Sequence, residues 1–429
     1  MLFEDISVLD EHFQKLDHQF VGIKDSYIDF IGDARPFEDY GEVVNGRGKL
    51  LMSGLYNLHT HLPMTLLRGY GENLPLQRWL EERIFPFEDH LDGESVYHAT
   101  VLGLAEMMKY GVVACSDMYF FCDSVAQAFA DTGMKAAISR SLVSFDDTDL
   151  KDLDRFSECK ELFQKWSGAC DGRIRIDMSV HAEYTNTEKI VTQLAEYAKE
   201  LGTGMHVHLS ETLKEHEECK ARRGGRTPAQ FFEDCGVFDV PATAAHCVYA
   251  EENDLDIFVR HGVTVAHCPV SNLKLGSGVA PVSRMLQKGV QVAVGTDGVA
   301  SNNNGNLLEE IKLTPMLQKG IHRDPTLVTC TQVMQMATVN GASAQGRTDC
   351  GALKAGNRAD LLMIDLNQPN LTPCHDFLHN LVYSMTESNI LMTMADGKVL
   401  YQNGEYKTLD IEKALYHARR CTSQILKQL

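Results

Sequence analysis

Short apolar runs alternate with longer amphipathic segments through the middle of the chain, from about Ser53 to Gln345. The intervening segments have helical period, as in Thr187–Leu201, where Ile190, Leu194 and Leu201 share one face. This βα alternation predicts a parallel sheet, and the number of runs favours a closed (β/α)8 TIM-like barrel over an open doubly wound sheet. The eight runs are Gly54–His59, Val112–Asp117, Lys135–Arg140, Ile174–His181, Gly204–His208, Ala242–His246, Val263–His267 and Val290–Asp297.

The two ends of the chain carry short strand-like pieces instead, among them Ser26–Asp33 and Ala359–Leu366. Asp396-Gly397 predicts the turn of a hairpin over Leu391–Gln402, because both central positions of such a turn need positive φ. We therefore predict a small β-sandwich domain built from residues 1–52 and 350–429, closed by a final helix around Ile411–Leu426. Residues 53–349 form the barrel.

Composition excludes several classes of function. A formal net charge of −19 would repel polyanions, which argues against a nucleic acid partner and against an anionic membrane. No apolar stretch is long enough to span a bilayer, and the acidic start MLFEDISVLD does not resemble a secretion signal. The twelve cysteines include no Cys-x-x-Cys pair, so neither a disulfide framework nor a thiolate zinc site is indicated. We expect a cytoplasmic protein.

Ionisable residues cluster where the predicted strands end, which is where TIM-barrel active sites lie. Residues i and i+2 of a strand share a face, so His59 and His61 can reach one metal ion. A single His-x-His pair is more often a surface or core feature, and its place at the end of the first strand is what favours ligation here. The full set is His59, His61, Asp117, Arg140, His181, His208, His246, His267 and Asp297.

The same spacing recurs in His206-Val207-His208 on the fifth run, which would supply a third ligand. Glu211 follows directly, placed either to shuttle protons beside a bound water or to cap the next helix. Asp297 ends the eighth run and would be a buried charge, which is costly without a metal or hydrogen-bond partner. Metal ligation, a salt bridge and a helix N-cap all remain open for it.

Five stretches of the chain together resemble the amidohydrolase superfamily, and within it the methylthioadenosine/S-adenosylhomocysteine deaminases. The resemblance covers nearly the whole chain, and it implies hydrolytic deamination of a 5′-modified adenosine to the inosine analogue, with release of ammonia. It also implies a small nucleoside as the binding partner and self-association into a homo-oligomer. The stretches are GLYNLHTHLPMTLLRGYGENLPLQRWL, HVHLSET, AAHCV, PVSNLKLGSGVAPV and VGTDGVASNNN.

The resemblance assigns the ligands of one divalent metal, Zn²⁺ first, with Fe²⁺ or Mn²⁺ as alternatives. His206 departs from the ligand role, because the family's ligand is the histidine directly before Leu-x-Glu. Two-metal members of the superfamily carry a carboxylated lysine on the fourth strand, and Ile174–His181 contains no lysine, which favours a single ion. The implied ligands are His59, His61, His208 and Asp297.

The resemblance also implies three catalytic residues. His246 matches the histidine that hydrogen-bonds the attacking water, and Glu211 matches the acid that protonates a ring nitrogen. Asp297 would share with His246 the task of orienting that water and accepting its proton.

Substrate contacts rest on the same resemblance. Trp79 matches a residue that packs near the nucleoside, although a core aromatic on a helix face has the same pattern. Glu88 resembles a carboxylate that binds ribose hydroxyls, and His181 a residue close to the sugar and base. Arg140 resembles an arginine that meets the carboxylate of a homocysteine tail.

A second cationic residue expected near that tail has two candidates, Lys151 and Arg155, so the preferred 5′ substituent stays open. Two other functions stay open as well. One is hydrolysis of another ring, such as guanine, cytosine or a triazine, at the same metal site. The other is a metal-binding module without catalysis, which is disfavoured because structural zinc sites are often rich in cysteine.

Overall fold

The computed structural model describes residues 1–429 and contains two β-sheets. The strands, in chain order, are β1 (Leu2–Leu9), β2 (Lys15–Lys24), β3 (Tyr27–Gly32), β4 (Val43–Asn45), β5 (Lys49–Ser53), β6 (Leu55–His61), β7 (Val112–Tyr119), β8 (Lys135–Leu142), β9 (Ile174–Val180), β10 (Met205–Leu209), β11 (Ala242–His246), β12 (Thr264–His267), β13 (Gln291–Val294), β14 (Asp297–Gly298), β15 (Leu361–Asp365), β16 (Ile390–Ala395), β17 (Lys398–Gln402) and β18 (Glu405–Tyr406).

Helices cover the outside of one sheet and fill the connections. The α-helices, in chain order, are α1 (Leu76–Trp79), α2 (Phe85–Glu88), α3 (Gly93–Lys109), α4 (Cys122–Thr132), α5 (Asp154–Trp166), α6 (Glu188–Leu201), α7 (Leu213–Arg222), α8 (Pro228–Asp234), α9 (Glu252–His261), α10 (Pro269–Lys274), α11 (Val282–Lys288), α12 (Val299–Asn302), α13 (Leu307–His322), α14 (Cys330–Ala337), α15 (Val339–Ala344), α16 (Phe377–Tyr383) and α17 (Ile411–Ile425). A short π-helix, Leu80–Ile84, joins α1 to α2.

The barrel strands β6 to β13 pair in chain order, each parallel to the next. The eighth predicted run is split in two, because β13 pairs with β12 whereas β14 turns to pair with β6. Asn57 bridges this closing seam: its Oδ1 accepts from the Thr296 amide at 3.0 Å, and its Nδ2 donates to Thr296 Oγ1 at 2.7 Å. The predicted closed barrel is confirmed.

The second sheet has the order β18-β17-β16-β15-β5-β1-β2-β3, with β4 beside β1, so both ends of the chain build it. The predicted small β domain is thus confirmed, although its strands form one continuous sheet. Its apolar face forms a separate core that includes Phe3, Ile28 and Met392. Asp396 and Gly397 have φ of 47° and 74°, as the predicted hairpin turn requires.

The final helix, α17, has a place that the sequence did not predict. It packs against α3 of the barrel rather than closing the small sheet. Its buried residues, spaced as one helical stripe, are Ala414, Ala418, Cys421 and Ile425. An apolar stripe fixes which face is buried but not its partner, which is why the sequence alone misplaced this helix.

None of the helices combines the length and apolarity needed to cross a bilayer. All twelve cysteines are free thiols. Neither feature bears on the barrel mouth, where the candidate site lies.

Candidate active site

Four donor atoms converge at the mouth of the barrel. Asp297 Oδ1 lies 3.2 Å from His61 Nε2 and 3.5 Å from His59 Nε2, and His208 Nε2 lies 3.3 Å from His61 Nε2. Ligands at the ~2.1 Å typical of Zn–N bonds in a tetrahedral site are about 3.4 Å apart. The spacing of these side chains therefore fits one shared ion.

The outer nitrogens of two of these imidazoles are fixed by backbone acceptors. His61 Nδ1 donates to Met118 O at 2.5 Å, and His208 Nδ1 donates to His181 O at 2.8 Å. When Nδ1 carries the proton of a neutral imidazole, Nε2 has a free lone pair and no hydrogen. Two such Nε2 atoms are both acceptors, so they cannot hydrogen-bond to one another. A cation between them satisfies both, and this outer-shell arrangement is typical of metal-binding histidines.

His206, to which the sequence assigned no role, contacts the third imidazole, that of His59. His206 Nε2 lies 3.0 Å from His59 Nδ1, whereas the buried His59 Nε2 has no hydrogen-bond partner. His206 thus faces the outer side of His59 and leaves the inner nitrogen for an ion. The site fits a divalent metal held by three histidines and one carboxylate.

We expect His206→Gln to lower metal affinity about 10- to 100-fold, the usual effect of losing an outer-shell partner. Metal retained against a competing chelator measures it. His261→Gln is the control, since His261 lies in α9 and pairs with Glu233 away from the site. Wild-type affinity in the His206 variant would mean that this contact does not orient His59.

Glu211 and His246 stand beside the four donors. His246 Nε2 lies 4.0 Å from both Glu211 Oε2 and Asp297 Oδ2, too far for a direct hydrogen bond to either carboxylate. His246 Nδ1 contacts Asn272 Oδ1 at 2.9 Å, which fixes its ring. Burial raises the pKa of Glu211, so its carboxyl can hold a proton closer to neutral pH than an exposed glutamate.

Glu211 is positioned by a second buried carboxyl. Glu215 accepts the backbone amides of Ser210 at 2.9 Å and of Glu211 at 2.7 Å. Burial raises the pKa of Glu215 to about 7. Helix α7 is instead capped by Thr212, which accepts from the Glu215 amide, so the capping role considered for Glu211 is not observed.

The backbone is strained at several of these positions. Ser210, His246 and Asp297 have φ of 48°, 73° and 63°, a region that residues other than glycine rarely adopt. Each lies at a strand end of the barrel. Such strain persists where the surroundings over-determine it, and it is typical of functional sites.

The Asp297 carboxylate is held on both oxygens. Its Oδ2 accepts from Ser271 Oγ at 2.5 Å and from Ser301 Oγ at 3.1 Å, and its Oδ1 accepts from the Gly298 amide at 2.7 Å. These serines, together with Asn272 and Glu215, support the site and were not singled out from the sequence. Serine, asparagine and glutamate beside strand ends are too common to be recognised without the contacts.

A cavity of about 710 Å³ opens onto these groups. All four residues expected to contact substrate line it, namely Trp79, Glu88, Arg140 and His181. Its volume falls in the range of small-molecule sites, about 300–1,000 Å³. The segment Leu76–Glu88, in which a short π-helix separates α1 from α2, forms one wall and carries Trp79 and Glu88.

The titratable groups of the wall are shifted by burial. Burial raises the pKa of Glu88 to about 7, against the opposing hydrogen bond that its carboxylate accepts from the Tyr119 hydroxyl. Burial lowers the pKa of His181 to about 4, which keeps this imidazole neutral at pH 7. The wall therefore presents a carboxyl that titrates near neutrality beside an uncharged ring.

Of the two candidates for the second cationic residue, Arg155 lines the cavity and Lys151 does not. Arg155 Nη1 donates to Val143 O at 2.9 Å. Arg140 is already paired, since its Nε lies 2.6 Å from Glu158 Oε2. The geometry favours Arg155 as the cation with donors to spare.

Two residues at strand ends lie outside the group of donors. Both nitrogens of the buried His267 lack a hydrogen-bond partner, and His267 belongs to neither group of candidate metal ligands at the barrel mouth. Asp117 Oδ1 accepts from the Leu62 amide at 2.6 Å and from Thr60 Oγ1 at 2.9 Å. Asp117 therefore holds the residues on either side of His61.

Comparison with known proteins gives close relatives over the full length. The chain is 40% identical over 428 residues to a 5-methylthioadenosine/S-adenosylhomocysteine deaminase of Dictyoglomus thermophilum, covering 100% of this chain and 99% of the relative. It is 41% identical over 406 residues to a 5′-deoxyadenosine deaminase of Methanosarcina acetivorans, covering 95% of this chain and 93% of the relative.

A solved structure and a sequence profile agree with these relatives. The crystal structure of an adenosine deaminase from Xanthomonas campestris with bound zinc superposes with a TM-score of 0.92 at 29% identity, covering 99% of this chain and 98% of that one. The profile of the amidohydrolase family matches residues 50–400.

Proposed function

The chain belongs to the amidohydrolase family, and on that premise we propose that it is a metal-dependent hydrolytic deaminase. It converts a 5′-modified adenosine into the inosine analogue with release of ammonia. The observation that carries the proposal is the convergence of three imidazoles and one carboxylate beside Glu211 and His246, where a cavity opens.

We propose Zn²⁺ as the bound ion, held by His59, His61, His208 and Asp297. Three imidazoles and one carboxylate suit Zn²⁺, and the Xanthomonas adenosine deaminase contains zinc. When bound, such an ion lowers the pKa of a coordinated water toward about 7. No lysine of β9 is available to bridge a second ion.

The remaining chemistry belongs to side chains of this chain. Glu211 donates a proton to ring nitrogen N1, which makes C6 of the adenine electrophilic. His246 and Asp297 orient the attacking water and accept its proton. The water oxygen bonds to C6, the proton taken from the water passes to the exocyclic nitrogen, and the C6–N bond breaks with departure of ammonia. The remaining hydroxyl proton at C6 returns to Glu211, which restores the acid and leaves the 6-oxo product.

The residues of the cavity wall favour a nucleoside over a free base as the substrate. In this proposal Glu88 accepts hydrogen bonds from the ribose hydroxyls, Trp79 packs against the nucleoside and His181 lies near the sugar and base. The relatives are named for methylthioadenosine, S-adenosylhomocysteine and 5′-deoxyadenosine. These compounds are all adenosines that differ at the 5′ position.

Ammonia release from a substrate panel tests the proposal. The metal-loaded protein is assayed with adenosine, methylthioadenosine, 5′-deoxyadenosine, S-adenosylhomocysteine, adenine, guanine and cytosine. We expect turnover of the adenosines and loss of activity when the ribose is removed. Equal activity on free bases would favour a deaminase of another ring, and no release from any compound would favour a metal-binding module.

The ribose contact predicts a pH effect on KM. The raised pKa of Glu88, about 7, means that the carboxylate predominates above pH 7 and the neutral acid below it. If only the carboxylate binds the diol, KM for methylthioadenosine rises about tenfold from pH 8 to pH 6. Glu88→Gln should have a raised KM that no longer changes over this range.

Glu82→Gln is the matched control, because Glu82 lies on the same segment and pairs with Arg78 at the surface. It should keep the wild-type KM profile. A wild-type profile in Glu88→Gln would remove Glu88 from the ribose site.

If Arg155 contacts the 5′ substituent, its substitution should impair one substrate more than another. Arg155→Gln should lower kcat/KM for S-adenosylhomocysteine about 10- to 100-fold, the worth of a hydrogen bond to a charged group, and leave methylthioadenosine nearly unchanged. Lys151→Gln is the control and should affect neither. Equal losses for both substrates, or a selective loss in the Lys151 variant, would contradict the assignment of Arg155.

A further inference from the structure

A buried carboxyl that the mechanism does not use lies next to the candidate site. Glu310, in the first turn of α13, is fully buried and does not line the cavity. Burial raises its pKa well above the usual range, against hydrogen bonds from Val270 and Asn302, and no cation offsets its charge. A carboxyl of this kind is costly to bury. Its value to the fold must therefore come from the two groups that it binds.

The two oxygens of Glu310 hold two different helices. Oε2 accepts from the backbone amide of Val270 in α10 at 3.1 Å, and Oε1 accepts from Asn302 Nδ2 at the end of α12 at 2.6 Å. Asn302 Nδ2 also donates to Thr296 O at 2.7 Å, and Thr296 directly precedes Asp297. Glu310 therefore links α10, α12 and the segment that ends at Asp297.

The same two helices carry the side chains that orient the reacting groups. Ser271 on α10 and Ser301 on α12 both donate to Asp297 Oδ2, and Ser271 Oγ donates to Ser301 Oγ at 2.9 Å. Asn272, also on α10, contacts His246 Nδ1 at 2.9 Å. A carboxyl that spaces α10 from α12 therefore sets the direction in which both reacting groups point.

We propose that Glu310 is a positioning residue of the deaminase, which fixes the separation of α10 and α12 and thereby aims Asp297 and His246 at the attacking water. The inference rests on the proposed function, in which these two groups orient the water and accept its proton. Such a step depends on the distances and angles of the reacting groups. A shift of the supporting helices should therefore slow the chemical step and leave substrate binding intact.

Glu310→Gln tests the proposal, because it keeps the shape of the side chain but not its two acceptors. The amide oxygen can still accept one hydrogen bond, whereas the NH₂ group faces a donor, so one of the two links is lost. We expect kcat for methylthioadenosine to fall about tenfold at unchanged KM, the lower end of the effect of losing an outer-shell partner. Metal content and the native circular dichroism should be retained. Glu309→Gln is the matched control, since Glu309 is exposed and pairs with Asn304, and it should behave as wild type.

Co²⁺ in place of Zn²⁺ gives a readout that does not depend on turnover. The visible absorption of bound Co²⁺ responds to the geometry of its ligands. A displaced Asp297 should therefore change the spectrum of Co²⁺-loaded Glu310→Gln relative to the wild type and to Glu309→Gln. An inactive wild type would contradict the proposed function, and the Co²⁺ spectra would still show whether Glu310 positions Asp297.

Two further variants separate positioning from a general loss of stability. Asn302→Ala removes the same link from the other side and should match Glu310→Gln in kcat and in the Co²⁺ spectrum. In a Ser301→Ala background, in which Asp297 has already lost a donor, Glu310→Gln should lower kcat by a smaller factor, because contacts within one network are not additive. Wild-type kcat and spectrum in Glu310→Gln, a raised KM at unchanged kcat, or independent effects of the two substitutions would overturn the role.

Discussion

Glu211→Gln is expected to keep its metal and to lose about 10²- to 10⁴-fold in kcat, the usual contribution of a positioned acid or base. Glutamine has nearly the shape of glutamate but cannot deliver the carboxyl proton to N1. The contacts from Glu215 go to the backbone of residues 210 and 211, so the loop keeps its conformation in the variant. The defect should therefore be chemical rather than structural.

Single-turnover deamination of methylthioadenosine, with metal content measured on the same sample, checks this expectation. Glu217→Gln is the matched control, because Glu217 lies on the following helix and its side chain is 59% exposed. It should retain wild-type kcat. Unchanged turnover in Glu211→Gln would remove Glu211 from the reaction.

His208→Gln is expected to lose both metal and activity. His208 Nε2 lies 3.3 Å from His61 Nε2, and its ring is fixed by its Nδ1 bond to His181 O, so the substitution removes one of the four donors. Glutamine offers a neutral amide oxygen, a weaker donor than imidazole for Zn²⁺. With the ion lost, nothing else in the site lowers the pKa of water.

Metal content after gel filtration, followed by ammonia release with added Zn²⁺, measures both losses. His267→Gln is the control, since His267 also ends a barrel strand and is fully buried but is not among the candidate metal ligands. It should keep one ion per chain. A His208 variant with a full complement of metal would contradict the ligand assignment.

The candidate ligands could be found from the sequence because strand period and barrel topology place them. His59 and His61 share a face, and the ends of parallel strands meet at one rim. The spacing could not choose between His206 and His208, which also share a face. Residues i and i+2 differ by about 6.6 Å in depth along a strand, and only the folded barrel shows that His206 lies beside the outer side of His59 while His208 lies beside His61.

The supporting residues were beyond sequence reasoning for a different reason. Asn272 and Glu215 act through single contacts with His246 and with the backbone at Glu211, and these depend on loop conformations with positive φ at Ser210 and His246. Residues other than glycine give no local signal for that conformation. Contacts made by strained loops become visible only in three dimensions.

The fold shows the same division. The eight barrel runs and the hairpin at Asp396-Gly397 follow local periodicity and turn chemistry, and both were predictable. Strand β1 was not located, because a bulge near Asp5, where φ is 52°, interrupts its alternation of buried and exposed residues. Periodicity shows which face of α17 is buried, but it does not determine which of two apolar surfaces that face packs against.

Anomalous X-ray scattering at the zinc edge, on crystals of the protein loaded with one equivalent of Zn²⁺, tests the central claim most directly. The account predicts a peak at the barrel mouth, about 2.0–2.2 Å from the Nε2 atoms of His59, His61 and His208 and from a carboxylate oxygen of Asp297. A barrel mouth without anomalous signal, with these four side chains bonded only to one another, would contradict it.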